Sequence, residues 1–284
     1  MRAALLTALA FVLLAVPAAA SATTAAAPVT ETATSGIVTA TFTHQDAGGG
    51  EWKGLKITVT RAGVAAYSGM PKVPGCAAPY CAPFGPVAQQ ASLSVADVSG
   101  DGEPEVIVNM YSGGAHCCEI AVILRWSGNA YKVVTHDFAD DGYRLVPATD
   151  GGPAAFVTGD ARFAYEFTDY ADSALPVQTY RLMDGAFSDQ TLSYRSSIVA
   201  DAGRLKKAYM KLRNGRRSLG VLAAYVADEY QLLRRTQADA FLDHELKAGK
   251  LRGVGPWPHG KAYIKLLKKD LKAWGYAYTP GATL

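Results

Sequence analysis

Beyond Val16 the sequence has no run of roughly 20 consecutive apolar residues, so nothing downstream reads as a transmembrane helix. It is also poor in metal-ligating and nucleophilic signatures. Its five histidines, at positions 44, 116, 136, 244 and 259, are scattered. No G-x-S-x-G elbow occurs, His244-Glu245 has no second histidine at the H-E-x-x-H offset, and no phosphate-binding P-loop is present. Elbow-type hydrolases, zincin proteases and P-loop nucleotidases are thereby excluded. The four cysteines show no C-x-x-C spacing, which argues against a soft-metal or redox site built from them with His116. No nucleic-acid-binding motif is present either.

What is there begins with a compartment signal. Arg2 precedes an apolar run from Ala3 to Val16, and small residues follow around Ala20-Ser21-Ala22, the pattern of a secretory signal peptide over residues 1–22. The first cysteine is Cys76, so a lipid anchor near the cleavage region is not predicted. A secreted protein, extracellular or periplasmic, is expected. Residues 23–35, rich in Thr, Ala and Pro, read as a flexible leader.

Charge divides the remainder. Residues 28–200 hold 10 Lys and Arg against 18 Asp and Glu, a net of −8, whereas 201–284 hold 17 against 7, a net of +10. The total of +3 conceals this asymmetry. The simplest consequence is a basic region docked on an acidic body with solvated faces elsewhere. The sharper one is an anionic partner, a glycan, wall polymer or membrane surface, for the basic C-terminal region. Lys261, Lys265, Lys268, Lys269 and Lys272 surround an apolar stripe headed by Ile264, which suits a capping helix and also an interfacial one.

Periodicity changes at the same boundary. Alternating runs at Lys56–Arg61, Val106–Tyr111, Ile120–Trp126, Ala130–Thr135, Ala161–Phe167 and Val177–Met183 predict strands. Turns at Ala62-Gly63, Ser127-Gly128 and Asp184-Gly185 predict hairpins. After residue 200 the spacing is helical: Leu219, Leu222, Val226, Tyr230 and Leu233 follow Ser218 as N-cap, Gly249 is a C-cap, and Ile264, Leu267, Leu271 and Trp274 repeat the stripe. The expected fold class is mainly β with a C-terminal α region. Residues 36–200 would form antiparallel blades, either a partial β-propeller or a sandwich, and 201–284 a basic helical domain or cap. Asp101-Gly-Glu-Pro-Glu-Val-Ile-Val108 and Asp150-Gly-Gly-Pro-Ala-Ala-Phe-Val157 are weakly self-similar, which supports repeated blades.

The first of those copies follows the most specific motif in the chain. In Asp97-Val-Ser99-Gly-Asp101-Gly102-Glu103-Pro-Glu105, side-chain oxygens alternate around a glycine turn, as a hard cation demands. Together with the following Val-Ile-Val it resembles the calcium loop and strand of FG-GAP and VCBS-type repeats, found in integrin α-subunit propellers and many secreted bacterial proteins. The resemblance implies calcium held by the side chains of Asp97, Ser99, Asp101 and Glu105 and the carbonyl of Glu103. Three departures stand against it: Ser99 replaces an acidic or amide residue, the family's Phe-Gly and Gly-Ala-Pro signatures are missing, and the Asp150 copy lacks upstream ligands. Ser112-Gly-Gly-Ala-His116-Cys-Cys118 resembles a segment of uncharacterised secreted bacterial proteins that carry such a loop.

Cys76, Cys81, Cys117 and Cys118 form an even set for which disulfides are the default outside the cytosol. Two bridges from Cys76 and Cys81 to Cys117 and Cys118 are expected, since pairing adjacent cysteines closes a small ring; which joins which stays open. His136-Asp137, with Asp140-Asp141 beside it, offers a seat for a general base, although neighbours on a strand point to opposite faces, and His116 is the best single polar outlier. The functional expectation is a non-enzymatic, calcium-stabilised binding or surface-associated module. The alternative is an extracellular hydrolase of unrecognised type, whose mark would be a deep cleft with convergent ionisable groups.

Overall fold

The computed structural model describes residues 26–85, 91–148 and 151–277; the signal-peptide segment lies outside them. Three antiparallel sheets follow one another along the chain, and four helices close it. The first sheet is a meander of β1 (Val29–Ser35), β2 (Val38–Gly48), β3 (Glu51–Arg61) and β4 (Val64–Gly69). In the second, β7 (Glu105–Tyr111) carries β5 (Ala82–Pro83) and β6 (Leu93–Ala96) on one side, then β8 (Glu119–Trp126) and β9 (Tyr131–Asp137) on the other. The third runs β10 (Arg144–Val146), β11 (Ala155–Gly159), β12 (Val177–Met183) and β13 (Ala186–Asp189). None closes into a barrel or propeller among the described residues.

The sheets stack. Val38, Phe42, Ile57 and Val59 of the first pack on Val106, Val108, Ile120 and Val122 of the second. The opposite face of the second sheet, with Ile107, Ala121 and Ile123, meets Phe138, Phe156 and Leu182. Apolar layers on both sides explain why β7 and β8 read as continuous hydrophobic runs, whereas β2 alternates. All three predicted hairpins form. Ala62-Gly63 and Asp184-Gly185 place both turn residues at positive φ, the backbone twist that two-residue hairpins favour.

Two segments differ from the sequence reading. Residues 29–35, expected to belong to a flexible leader, pair along their whole length with β2. An edge strand needs partners for its backbone rather than apolar side chains, and cross-strand Thr30–Thr43 and Thr34–Thr39 hydroxyl contacts suit such a surface. The Ala161–Phe167 run, expected as a strand, is a 3-10 turn over Ala161–Phe163 followed by further turns. Its alternation misleads because Phe163 and Phe167 are buried together while Tyr165, at φ +63°, points outward and is half exposed.

The two phenylalanines create the junction with the helices α1 (Arg195–Leu212), α2 (Leu219–Gln231), α3 (Arg235–Lys247) and α4 (Gly260–Ala273). They join Leu205, Leu222, Tyr263 and Leu267 in one cluster, each burial contributing about 1.5–3 kcal/mol. The basic region therefore docks mainly through apolar surface. Among the described residues Arg217–Asp172, at 3.2 Å, is the ion pair that links an α-region arginine to the β-rich part. Ser218 stands at the N-cap position of α2, yet its side chain makes no cap bond. Gly249, at φ +64°, does terminate α3, with Gly249 N–H donating to Leu246 O and Lys250 N–H to Glu245 O.

Candidate functional site

The loop from Asp97 to Glu105 folds around its own amides. Asp97 Oδ1 accepts from Gly100 N–H at 2.7 Å and Oδ2 from Gly102 N–H at 2.9 Å. Glu105, 1% exposed, turns inward: Oε2 accepts from the Val98 and Ser99 N–H groups at 2.9 and 3.2 Å, and Oε1 from the Ser99 hydroxyl at 2.8 Å. Asp101 accepts from Glu103 N–H and, on its outer oxygen, from Arg125 at 2.7 Å. Glu103 reaches Arg61 at 2.6 Å with its side chain.

Two guanidinium groups thus flank the loop, Arg125 on Asp101 and Arg61 on the Glu103 side chain, while Asp97 is held by backbone N–H groups. The proposed ligands are committed to N–H groups, a hydroxyl or arginine, and among the described residues no group of three or more His, Cys, Asp or Glu side chains is placed to hold a metal ion. As arranged, the loop does not fit calcium. Burial raises the Glu105 carboxyl despite its three donors. Partial burial acts the same way on Asp101, but the Glu103 N–H and the Arg125 guanidinium outweigh it and leave that group below its ordinary value.

The loop is a joint instead. Arg61 lies on β3 and Arg125 on β8, while Ala154 N–H, leading into β11, donates to Val98 O at 2.9 Å. Gly100, at φ +73°, sits against Gly152 and Pro153 so closely that a Cβ would lie 2.5 Å from the Gly152 carbonyl carbon. The two self-similar turns therefore pack on each other; Asp150 itself lies outside the described residues. All three sheets meet at this point.

The cysteines pair locally, Cys76 with Cys81 and Cys117 with Cys118, rather than between the two segments. The turn closed by Tyr80 N–H to Ala77 O brings the Cys76 and Cys81 Cα atoms to 5.0 Å, within bridging range, so the short loop competes successfully with the long one. The 76–81 turn still touches the second sheet, through Cys76 Sγ to Tyr111 O.

His116 joins a group that its sequence neighbours did not announce. Its ring stacks on Tyr170 at 3.7 Å between centroids, and Nδ1 lies 3.8 Å from Asp140 Oδ2, which also accepts from the Tyr170 hydroxyl. Tyr165 approaches both rings, and its carbonyl accepts from the Trp257 indole N–H at 2.7 Å. His136, by contrast, on β9 of the second sheet, is packed between Phe138 and the third-sheet rings of Tyr180 and Phe187, where burial lowers its basicity. Its neighbour Asp137 accepts from Ala139 N–H, so the two form no base dyad.

Tyr170 also lines a cleft of about 480 Å³ between the end of β11, the 170–177 segment and α1. Its ionisable groups are Asp141, Asp201 and Arg204. Burial pushes the Asp141 carboxyl up, opposed by the Gly159 N–H and by Arg204. Asp201 Oδ2 accepts from Val177 N–H at 3.1 Å, and Oδ1 takes the Arg204 guanidinium at 2.6–2.7 Å. Facing Asp201 is Asp228 on α2, wholly buried; burial, the adjacent Asp201 charge and a carboxyl–carboxyl hydrogen bond with Asp201 push its carboxyl up to about 9. Asp201, Arg204 and Asp228 went unmarked in the sequence reading. The available signal was Asp228, an acid inside a helix that is apolar on nearly every face from Leu219 to Ala227.

Comparison with known proteins gives little more. No family model matches the chain, FG-GAP and VCBS repeats included, and no solved structure matches it. A probable thylakoid lumen protein of Synechocystis sp. is 31% identical over 146 residues, covering 49% of this chain and 43% of that protein. An uncharacterized protein of Sinorhizobium fredii is 32% identical over 81 residues, covering 28% of this chain and 13% of that one. The chain is thus similar to parts of two longer proteins, and spans less than half the length of either.

Proposed function

We propose that this chain is a non-enzymatic ligand-binding module of an extracytoplasmic compartment, with its site in the cleft between the third sheet and α1. The compartment is supported by the apolar leader, by four cysteines all in disulfides, and by the printed name of the Synechocystis relative, a lumen protein. No helix among the described residues is long and apolar enough to cross a membrane.

The observation that carries the binding reading is the state of the cleft's carboxylates. Asp141 holds the Gly159 N–H, and Asp201 holds both the Val177 N–H and Arg204. Neither is a free base poised over an open space, which a hydrolytic carboxylate pair requires. In the cleft Asp141 and Asp201 outnumber Arg204, and Tyr170, whose ring meets those of His116 and Tyr165, lines one side. Such a cleft suits a small polar ligand that presents amine or hydroxyl donors. The exposed Lys261, Lys265 and Lys272 of α4 have no ion-pair partner among the described residues, and association of that face with an anionic wall polymer is a compatible second contact.

A titration of the ¹⁵N-labelled protein with spermidine and with chitosan oligomers tests the site. Saturable shifts at the Asp141, Gly159 and Ser173 amides, lost in Asp141→Asn, are expected. Unmoved cleft amides would remove the proposal, and release of shortened oligomers would replace it with the hydrolase reading.

A further inference from the structure

We infer a second, separate site, for a neutral oligosaccharide, in the groove where the third sheet meets the C-terminal end of the helical region. It depends on no part of the acidic-cleft reading. The cavity is about 460 Å³, and its polar lining consists chiefly of Gln178, Gln190, Gln231, Thr191 and Ser193. Trp274 provides an aromatic side, backed by the buried Tyr276, whose hydroxyl donates to Asp160. A second cavity of about 400 Å³ adjoins it, sharing Arg162, Gln178, Asp189 and Trp274, and carries the groove on past Tyr180 and His136.

Charge selects the ligand class by being spent. Arg162 is held by Asp160, with Nη2 at 2.5 Å and Nε at 2.8 Å, and lies over the Trp274 ring at 5.4 Å. Asp189 Oδ1 accepts from both the Thr191 N–H and hydroxyl. Arg195 donates to the Leu232 carbonyl at 3.3 Å. A groove in which charges are largely internally satisfied discriminates poorly for ions. It offers instead carboxamides beside an aromatic ring, with the Gln178 oxygen accepting from the Tyr180 hydroxyl and Gln190 tied to Ser188 and Ser193, so that the Gln178 amide N–H groups are left to meet the hydroxyls of a pyranose while the ring meets its C–H face.

Two features show surface left unfinished within the chain itself. Gln231 lines the groove, and its Oε1, lying just beneath the surface, is one of several buried polar atoms with no hydrogen-bond partner among the described residues. Leu192 and Leu233, both lining the groove, are 57% and 54% exposed, and Leu233 is held at φ +61°, a conformation that non-glycine residues disfavour. The apolar rim and the orphan amide lie on the same groove as Trp274. Two adjoining cavities give room for more than one sugar unit.

Titration of the full chain with cellotetraose, maltotetraose and N-acetylchitotetraose, read by the Trp274 indole resonance and, in the variant that lacks Trp274, by the Gln178 and Thr191 amide resonances, tests the assignment. At least one should bind with Kd on the order of 10⁻⁵–10⁻³ M. Gln231→Ala should weaken that binding roughly fivefold or more at unchanged melting temperature, the loss of one good hydrogen bond. Trp274→Phe, which keeps an aromatic ring against Phe163 and Phe167, should weaken it further, and Asp141→Asn should leave it unaltered. An indole resonance that none of the three sugars moves at about 10 mM, an order above the weakest expected Kd, would overturn the proposal. So would binding that both groove variants retain. Loss in Asp141→Asn with retention in Gln231→Ala would assign the sugar to the acidic cleft and likewise overturn it.

Discussion

Glu119 is the carboxyl whose environment makes the most quantitative demand on this protein. It opens β8, is 3% exposed, and leaves Oε1 without a partner. Gly142, at φ +59°, passes directly over its carboxyl, and the buried Tyr143 ring faces it, the Tyr143 hydroxyl donating to Asn109 at 2.8 Å. Burial raises its pKa from 4.5 to about 7. The folded state thus holds this proton more tightly than the unfolded chain does. Its contribution is fully present below pH 4.5 and disappears as pH rises through about 7. At about 1.4 kcal/mol per pH unit, the difference between pH 5 and pH 8 is about 2–3 kcal/mol. Glu119→Gln keeps the side chain neutral throughout, so the variant should gain that amount relative to wild type on going from pH 5 to pH 8. Urea unfolding followed by far-ultraviolet circular dichroism at both pH values measures it. Asp141 and Asp228 also have raised carboxyls, but their share is common to both proteins and cancels in the comparison. Wild-type and variant stabilities that run parallel between the two pH values would refute the reasoning.

Other expectations follow from single contacts. Because Arg61 and Arg125 supply positive charge to the 97–105 loop, the melting temperature should not respond to millimolar calcium or chelator, while Arg125→Met should cost about 1–3 kcal/mol; a calcium-dependent rise in melting temperature would restore the metal. Gly203→Ala, on an open face of α1, should stabilise by about 1 kcal/mol through helix propensity. Gly220→Ala on α2 should instead destabilise by about 1–3 kcal/mol, because its Cβ would lie 2.5 Å from the Asp172 carbonyl oxygen; chemical denaturation of the pair checks the opposite signs. Non-reducing digestion at glutamates should separate a Cys76–Cys81 peptide from a Cys117–Cys118 peptide, and a single peptide holding all four would contradict the local pairing.

Local rules carried far in the β-rich part. Hairpin glycines and runs such as Val106–Tyr111 and Ile120–Trp126 place strands correctly because turn chemistry and hydrophobic period are encoded within a few residues. Where the rule is tertiary it fails. The Thr-rich 29–35 segment has no apolar pattern because β2 supplies what an edge strand needs. Phe163, Tyr165 and Phe167 imitate a strand because a positive-φ residue between two anchors produces the same spacing. The loop's glycines and carboxylates were legible, but the cations that satisfy them come from β3 and β8, which no reading of nine residues reveals. Asp201 and Asp228 face each other from separate helices, and that approach likewise leaves no local trace.

The double burial of the second sheet has one more consequence. A strand with one wet face is aligned by its pattern, since slipping by one residue turns every apolar side chain to water. In β7 and β8 both faces are apolar, so hydrophobicity alone barely distinguishes neighbouring alignments. Glu105, Asn109 and Glu119 share the face turned to the third sheet, where Val98, Ser99 and Tyr143 meet the first two and Gly142 leaves room for the last. A one-residue slip would point all three at Phe42 and Ile57, with nothing to receive them. These few polar groups cost stability wherever they are imperfectly satisfied, and in exchange they make one alignment of the central strands the correct one.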